Sequence, residues 1–365
     1  MAAPRERSPV WRNDVAMKAL VFNGPRDIRY EDYQDPKLEI GNGAIVKVGK
    51  CSICGSDLHI YHGDLIGSTA YDSGVEKFCV GHEFIGEVVE TGPDVHGLKV
   101  GDRVLAAGGA GCGRCQSCRS GRIGECKSAT AFGLSTMLNG GQAEFVRVPN
   151  ADATLMGIPD GVSDEQAILL TDAMATACFG LDNAGLQPGQ SVAIVGLGPI
   201  GLIGVELALL RGASQVFAID PVEGRREHAR KLGAAVFAPG KEATGAIMEQ
   251  TRGGVDCVFE ASGARAAVES VLPLVRRRGT VSFIGLPQPG VVLPLNIILY
   301  KNITLRAGVA PVPQLWPQLV PLLQQGRLKA EGLFSHVMDL SEGTEAYRTF
   351  DQREDNVIKI MMTVG

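Results

Sequence analysis

The sequence lacks three features, each of which would redirect its reading. It has no basic stripe: 35 Lys and Arg stand against 40 Asp and Glu for a net charge of −5, and this balance argues against nucleic acid as a partner. It has no long apolar run. The longest, Val192 to Val205, stops at Glu206, short of the ~18 residues a membrane span needs, so no membrane partner is expected. It also has no apolar secretory segment at its start. Residues 1–16 mix Arg5, Arg7 and Arg12 with Glu6 and Asp14, a pattern that favours a frayed N-terminal extension before a first strand near Met17, with a transit peptide as the alternative. With no export signal, nine cysteines, odd in number and clustered, point to metal or thiol chemistry in a reducing, cytoplasmic setting instead of disulfides.

What is present divides the chain. At ~100 to 200 residues per domain the length implies two domains, and 45% hydrophobic content supplies both cores. Over residues 17–162 short β-like runs (Lys18 to Phe22, Ala44 to Lys50, Phe84 to Thr91, Arg103 to Ala107, Ala143 to Val148) are separated by Gly, Pro and Asp. They predict a β-rich, barrel-like domain with long loops. Ser163 and Gln166 form a capping-box signature opening a helix to about Leu181. Over 163–308 strands at Ser191 to Val195, Gln215 to Ile219, Val255 to Glu260, Thr280 to Gly285 and Ile303 to Ala307 alternate with helical patterns from Pro199, Gly224, Glu242 and Arg265. That alternation predicts a doubly wound α/β domain, whose ligand belongs at the carboxyl ends of the strands. Residues 309–365 add a helix to Leu323, with Trp316 assigned to packing, a helical stretch near Glu342 to Phe350, and an apolar strand, Val357 to Val364. That strand has no local hairpin partner and is expected to return to the first domain.

Ile194 to Gly201 reads I-V-G-L-G-P-I-G between an apolar strand and a helical pattern, the context that gives G-x-G-x-x-G its meaning. Gly196 would permit the tight turn, Gly198 would let backbone approach a pyrophosphate, and Gly201 would let the helix pack closely on the strand. Helix N-terminal N–H groups would then aim at phosphate. Asp220 ends the next strand, near the ~20-residue spacing at which a carboxylate meets the adenosine ribose. The alternative is an ordinary glycine-rich βα turn.

Two loops of the first half carry Cys51-Ser-Ile-Cys54-Gly-Ser-Asp-Leu-His59 and Gly81-His82-Glu83, neither decisive alone, since single Cys and His residues are usually packing or hydrogen-bonded groups. A third holds Cys112, Cys115, Cys118 and Cys126. Four thiolates at C-x2-C-x2-C-x7-C can close a tetrahedral shell around zinc with no open position, the structural type of site. The iron–sulfur alternative fits less well, because the bacterial ferredoxin run ends x3-C-P whereas here the last gap is seven and Lys127 follows. Asp172 falls inside an apolar helical pattern where an unpaired carboxylate is costly, with Thr176 one turn on. The alternative there is a solvated Asp at a domain boundary.

These residues together resemble the medium-chain zinc-dependent alcohol dehydrogenases, from Met17 to Gly365. The resemblance implies a GroES-like catalytic domain against a Rossmann domain, two zinc ions per chain, and NAD. It implies Cys54 and His82 as catalytic zinc ligands, Asp57 as the partner of His82, and Cys112, Cys115, Cys118 and Cys126 as the structural zinc lobe. Ser56 and His59 match the proton relay, Thr176 and Ile200 the nicotinamide lining, and Arg225 a basic residue near the adenosine ribose. One position departs: where many relatives place a second cysteine this chain has Asp172, as in the secondary-alcohol and glutathione-independent formaldehyde dehydrogenase branches. Glu83 is a further candidate ligand, whereas Cys178, six residues beyond Asp172, does not align.

The expected reaction is reversible NAD-linked oxidation of a small or medium alcohol to a carbonyl, with formaldehyde dehydrogenase or dismutase activity as the alternative and a non-catalytic nucleotide-binding protein as the third. Tyr61, His62, Leu65 and Tyr71, within the loop from Ile60 to Cys79, either line the substrate pocket or merely close the loop, and the loop does not name the substrate. A homo-oligomer, dimer or tetramer, is expected from the family.

Overall fold

The computed structural model describes residues 16–39, 41–64 and 77–365. The extension preceding Ala16 lies outside them, as do Leu65 and Tyr71.

The two halves separate by the way their strands pair. In the second, six strands form one parallel sheet in the order Ala235–Phe237, Gln215–Ile219, Ser191–Val195, Val255–Glu260, Val275–Phe283, Thr304–Ala307. The order reverses direction at Ser191–Val195, so a crevice opens at the carboxyl end of that strand, where a doubly wound sheet takes its ligand. Both faces of the central strands are covered, which is why they read as nearly continuous apolar runs: all five residues of Ser191–Val195 are buried, whereas the edge strand Thr304–Ala307 is exposed throughout.

The first half is antiparallel. A seven-stranded sheet carries Leu155–Gly157, Arg103–Ala106, Glu83–Thr91, Ala44–Ser52, Lys359–Thr363 and Phe334–Asp339 in order, with Phe145–Val148 also on Ala44–Ser52. Lys359–Thr363 pairs antiparallel with Ala44–Ser52, so the end of the chain does return to the first sheet. Its other neighbour, Phe334–Asp339, is parallel and has the alternating half-buried pattern of an edge. Met17–Gly24, Asp27–Tyr33 and Phe78–Cys79 form a smaller sheet.

The expected helix from Ser163 to about Leu181 is two helices. Ser163 accepts from the Gln166 N–H in the predicted capping box, but Asp164–Thr171 ends at Asp172, where φ −152° and ψ −67° interrupt the helical path before Ala173–Ala184. Asp172 starts the second helix with its carbonyl, which accepts from the Thr176 N–H at 2.8 Å, while its carboxylate makes no backbone cap and is left for other partners. Trp316, in Val312–Gln324, is buried and donates its indole N–H to the Leu170 carbonyl at 2.9 Å, the packing role expected of it. Among the described residues no helix is long and apolar enough to cross a membrane.

Candidate active site and metal centres

Helix Gly55–His62 builds one side of the site. Asp57, its third residue, is fully buried and serves two groups at once. One carboxylate oxygen accepts from the Cys54 N–H at 2.9 Å, closing the helix N-terminus, and the other lies 3.1 Å from His82 Nδ1. The carboxylate therefore takes the Nδ1–H and leaves Nε2 as the free ring nitrogen, the tautomer a metal ligand needs. Ser56 Oγ lies 3.4 Å from that Nε2.

Asp172 reaches the same place from the other half of the chain. Its Oδ2 stands 3.5 Å from Cys54 Sγ and 3.9 Å from His82 Nε2, while Thr176 Oγ1 donates to Oδ1 at 2.7 Å. The predicted proximity of Asp172 and Thr176 thus becomes a hydrogen bond across the helix break. Burial opposes ionisation of Asp172, but hydrogen bonding and charge from His82, followed by Thr176, outweigh it and hold the carboxyl down at about 2.

The candidate ligand atoms of Cys54, His82, Glu83 and Asp172 all lie within 4.8 Å of one another. Glu83 is fully buried. Its Oε2 faces Lys359 Nζ at 2.5 Å and also accepts from Ser52 Oγ, but Oε1 is buried without a hydrogen-bond partner among the described residues. Burial, then the neighbouring Glu83 and Asp172, push the Cys54 thiol up. A thiol and two carboxylates crowded around a bare imidazole nitrogen, with one carboxylate oxygen unpaired, form a donor set that a divalent cation satisfies. Zinc suits this mixture of S, N and O donors.

The second cluster is local. The sulfurs of Cys112, Cys115, Cys118 and Cys126 also lie mutually within 4.8 Å, wrapped around the short helix Gln116–Arg119. The Cys115 N–H donates to Cys112 Sγ, and the Cys112 and Ser128 N–H groups donate to Cys126 Sγ, each at 3.4 Å. Such donors stabilise thiolate. The Arg114 and Cys115 N–H groups bring the Cys112 thiol down to about 6, and those at Cys112 and Ser128 lower Cys126. Burial carries Cys118 the other way, to about 12. Cys178 lies apart, its sulfur 3.0 Å from both Arg211 Nη2 and Gln318 Nε2.

The glycine turn has the predicted shape. Gly196 has φ +92°, and a Cβ there would stand 2.6 Å from the Ser262 Cβ; one at Gly201 would meet the Gly196 carbonyl oxygen at 1.8 Å. Gly198, at the N-terminus of helix Pro199–Leu210, faces open space. Asp220 is buried and clasps the turn, accepting from the Leu197 and Val222 N–H groups at 2.8 Å each. Arg225 donates to the Val357 carbonyl, and its Nε is buried without a partner.

A cleft of about 470 Å³ joins these parts. Gly196, Gly198, Ile200, Asp220 and Arg225 line it together with Cys54, His59, His62 and Glu83. His59 sits over Asp64, 3.0 Å from its carboxylate. Thr176 and Tyr61 are not among its walls. Lys359, which holds Glu83, and Glu260, which accepts from the Ser262 and Gly263 N–H groups opposite Gly196, were not anticipated. For Lys359 a signal existed: it is the one charge in Val357 to Val364, as costly unpaired as Asp172.

A dinucleotide-type sheet set against an antiparallel domain, with a Cys/His/carboxylate centre in the cleft between, defines a two-domain oxidoreductase. Residues 199–325 match the zinc-binding dehydrogenase family and residues 41–160 the alcohol dehydrogenase GroES-like domain. The chain is 38% identical over 350 residues to the Mycobacterium tuberculosis protein named "Probable zinc-binding alcohol dehydrogenase", covering 95% of this chain and 88% of that one. Alcohol dehydrogenase TADH from Thermus sp. ATN1 has the same fold at a TM-score of 0.86 with 35% identity, over 96% of this chain and 100% of its own. A zinc-binding dehydrogenase structure from Sinorhizobium meliloti bound to NADP gives 0.80 at 27% identity, over 95% and 99%. The chain belongs to the medium-chain zinc-dependent alcohol dehydrogenase family.

Proposed function

We propose that the protein catalyses the reversible NAD-linked oxidation of a small or medium alcohol to an aldehyde or ketone. The observation carrying this reading is the meeting of Cys54, His82, Glu83 and Asp172 at a cleft whose wall is also the glycine turn. In it, Cys54, His82 and Asp172 hold the catalytic zinc, Glu83 is the competing donor, and the four clustered cysteines hold a second zinc that ties their loop. When bound, zinc supplies Lewis-acid stabilisation of negative charge on the substrate oxygen, and NAD supplies the hydride acceptor.

The chain's own groups do the rest. Asp57 orients His82. Ser56, beside the free nitrogen of His82, takes the substrate hydroxyl proton and passes it towards His59. Gly196 and Gly198 receive the pyrophosphate at the start of Pro199–Leu210, where Gly201 packs the helix onto the turn, with Ile200 on the nicotinamide wall; Thr176, the other residue assigned to the nicotinamide, acts from off that wall through its hydrogen bond to Asp172. Asp220, its carboxylate fixed by two backbone N–H groups, favours ribose hydroxyls over a 2′-phosphate, and the unpaired Nε of Arg225 is a donor left for the adenosine end.

Formaldehyde dehydrogenase or dismutase activity is the second reading, favoured by the carboxylate of Asp172 in place of a second thiol. A panel of primary and secondary alcohols, ketones and aldehydes including formaldehyde, with NAD and NADP, separates the readings. NADH formation with an alcohol supports the first, and formaldehyde disproportionation without net NADH supports the second. No turnover by zinc-loaded protein with any of them would leave a nucleotide-binding role. We infer self-association through the region of Val292, Leu295, Leu299 and Tyr300, apolar side chains 65–76% exposed beside the edge strand Thr304–Ala307, a combination that seeks a partner. Sedimentation distinguishes dimer from tetramer.

A further inference from the structure

Helix Gly55–His62 ends in a reversal. Gly63, at φ +77°, lets the chain fold back, and the Asp64 N–H donates to the His59 carbonyl at 3.0 Å. This puts the Asp64 carboxylate over the last helical turn, where His59 and His62, three residues apart, share a face. Asp64 Oδ2 is 3.0 Å from His59 Nδ1 and 3.9 Å from His62 Nδ1. On its far side His62 Nε2 meets Asp351 Oδ1 at 2.6 Å, and Arg26 Nη1 approaches the other oxygen of Asp351 at 3.6 Å. Imidazole and carboxylate therefore alternate: His59, Asp64, His62, Asp351. Side-chain exposures in that order are 15%, 32%, 29% and 17%, so the array meets solvent at its middle, Asp64 and His62.

The tautomers follow from the partners. An ionised carboxylate only accepts, so Asp64 fixes the proton of His59 on Nδ1 and leaves Nε2 bare. Asp351 likewise fixes the proton of His62 on Nε2 and leaves Nδ1 bare towards Asp64. A proton arriving at His59 Nε2 forms an N–H bond there while the Nδ1–H proton passes to Asp64 at 3.0 Å, and the Asp64 acid yields it to solvent water, which can hand it on to His62 Nδ1 across the 3.9 Å gap. The resulting imidazolium sits between two carboxylates, which favour it. The charged groups facing these rings are Asp64, Asp351 and, behind the latter, Arg26; Arg353 lines the same cleft.

We propose that Asp64, His62 and Asp351 form a proton exit that carries the relay proton from His59 to solvent. The inference rests on the dehydrogenase reading and adds a positioning group, Asp64, and a receiving group, His62, to it.

The test compares wild type, Asp64→Asn, Asp64→Glu and His62→Gln on the panel alcohol with the highest kcat/KM, with and without added imidazole, in H2O and D2O. In Asp64→Asn, kcat for oxidation should fall about tenfold with KM little changed, its solvent isotope effect should grow, and added imidazole should restore it by accepting the proton directly. Asp64→Glu should recover most of the rate, and His62→Gln should show a smaller, also imidazole-sensitive, loss. A merely structural Asp64 would give a loss that imidazole does not repair. A second readout needs no turnover: 15N NMR of the wild-type imidazoles should find His59 protonated on Nδ1, against Asp64, and His62 protonated on Nε2, against Asp351. An imidazole-insensitive kcat with an unchanged isotope effect, or the opposite tautomer at His59 or His62, overturns the proton exit. Absence of NADH formation by wild type with every alcohol overturns the dehydrogenase reading instead.

Discussion

Replacing Asp172 by Asn changes one atom at a position whose two oxygens have separate duties. Oδ1 accepts from Thr176 Oγ1 at 2.7 Å, and the Asp172 carbonyl accepts from the Thr176 N–H at 2.8 Å. An amide keeps both bonds, so the start of Ala173–Ala184 should hold. Only Oδ2, the oxygen 3.5 Å from Cys54 Sγ, becomes an amide nitrogen. With a thiolate and a carboxylate the three proposed ligands sum to −2, the charge that matches Zn2+; the variant leaves −1 and a donor with no lone pair to offer. Altering an outer partner of a metal ligand already costs 10- to 100-fold in affinity, so loss of a ligand should cost on the order of 100-fold or more. Losing several kcal/mol of Lewis-acid stabilisation should cut turnover about 10³-fold. Elemental analysis of Asp172→Asn should find one zinc per chain instead of two, and fluorescence titration should find NADH binding retained. Glu83→Gln should keep both ions. If Asp172→Asn kept two zincs and near-normal turnover, Asp172 would not be the ligand, and Glu83 or water would complete the site.

The other proposed sites give three further tests. Cys112→Ser should release one zinc and lower the thermal midpoint or disassemble the protein, because a closed thiolate shell holds a loop and does no chemistry; a single ion in wild type would refute one of the two centres. Asp220→Ser should narrow an NAD preference worth ~1 to 3 kcal/mol in kcat/KM, whereas equal efficiency of wild type with NAD and NADP would refute the assignment. Lys359→Met strips the counter-charge from Glu83 in a pair 1% and 0% exposed, and should destabilise metal-free protein by roughly 3 to 5 kcal/mol in urea unfolding. Adding Glu83→Gln should recover much of that loss; no recovery would mean that Lys359 acts through packing instead.

Local pattern carried a large part of this protein. The glycine fingerprint, the four-cysteine loop and the alternation of strand and helix are set by residues within a few turns of one another, and the backbone geometry they demand, such as φ +92° at Gly196, is a property of the chain itself. Hydrophobic period likewise placed most strands to within a few residues. It missed the edge strands Asp27–Tyr33, Ala235–Phe237 and Phe334–Asp339, which bury few residues, and it could not see the break at Asp172, because a run of buried residues on both sides, Ala167 to Thr171 and Ala173 to Cys178, has the same period whether or not the helix is interrupted. Proximity of Cys54, His82 and Asp172 in the sequence reading came from resemblance, not from spacing. Only tertiary packing brings Asp172 to Cys54 across 118 positions, one half against the other, and the return of the chain end to the first sheet sets Lys359 against Glu83 and seats Asp351 on His62 across 289. Short-range periodicity fixes which face a residue occupies within its own element, whereas burial of two apolar surfaces against each other decides which charged groups are left facing one another inside.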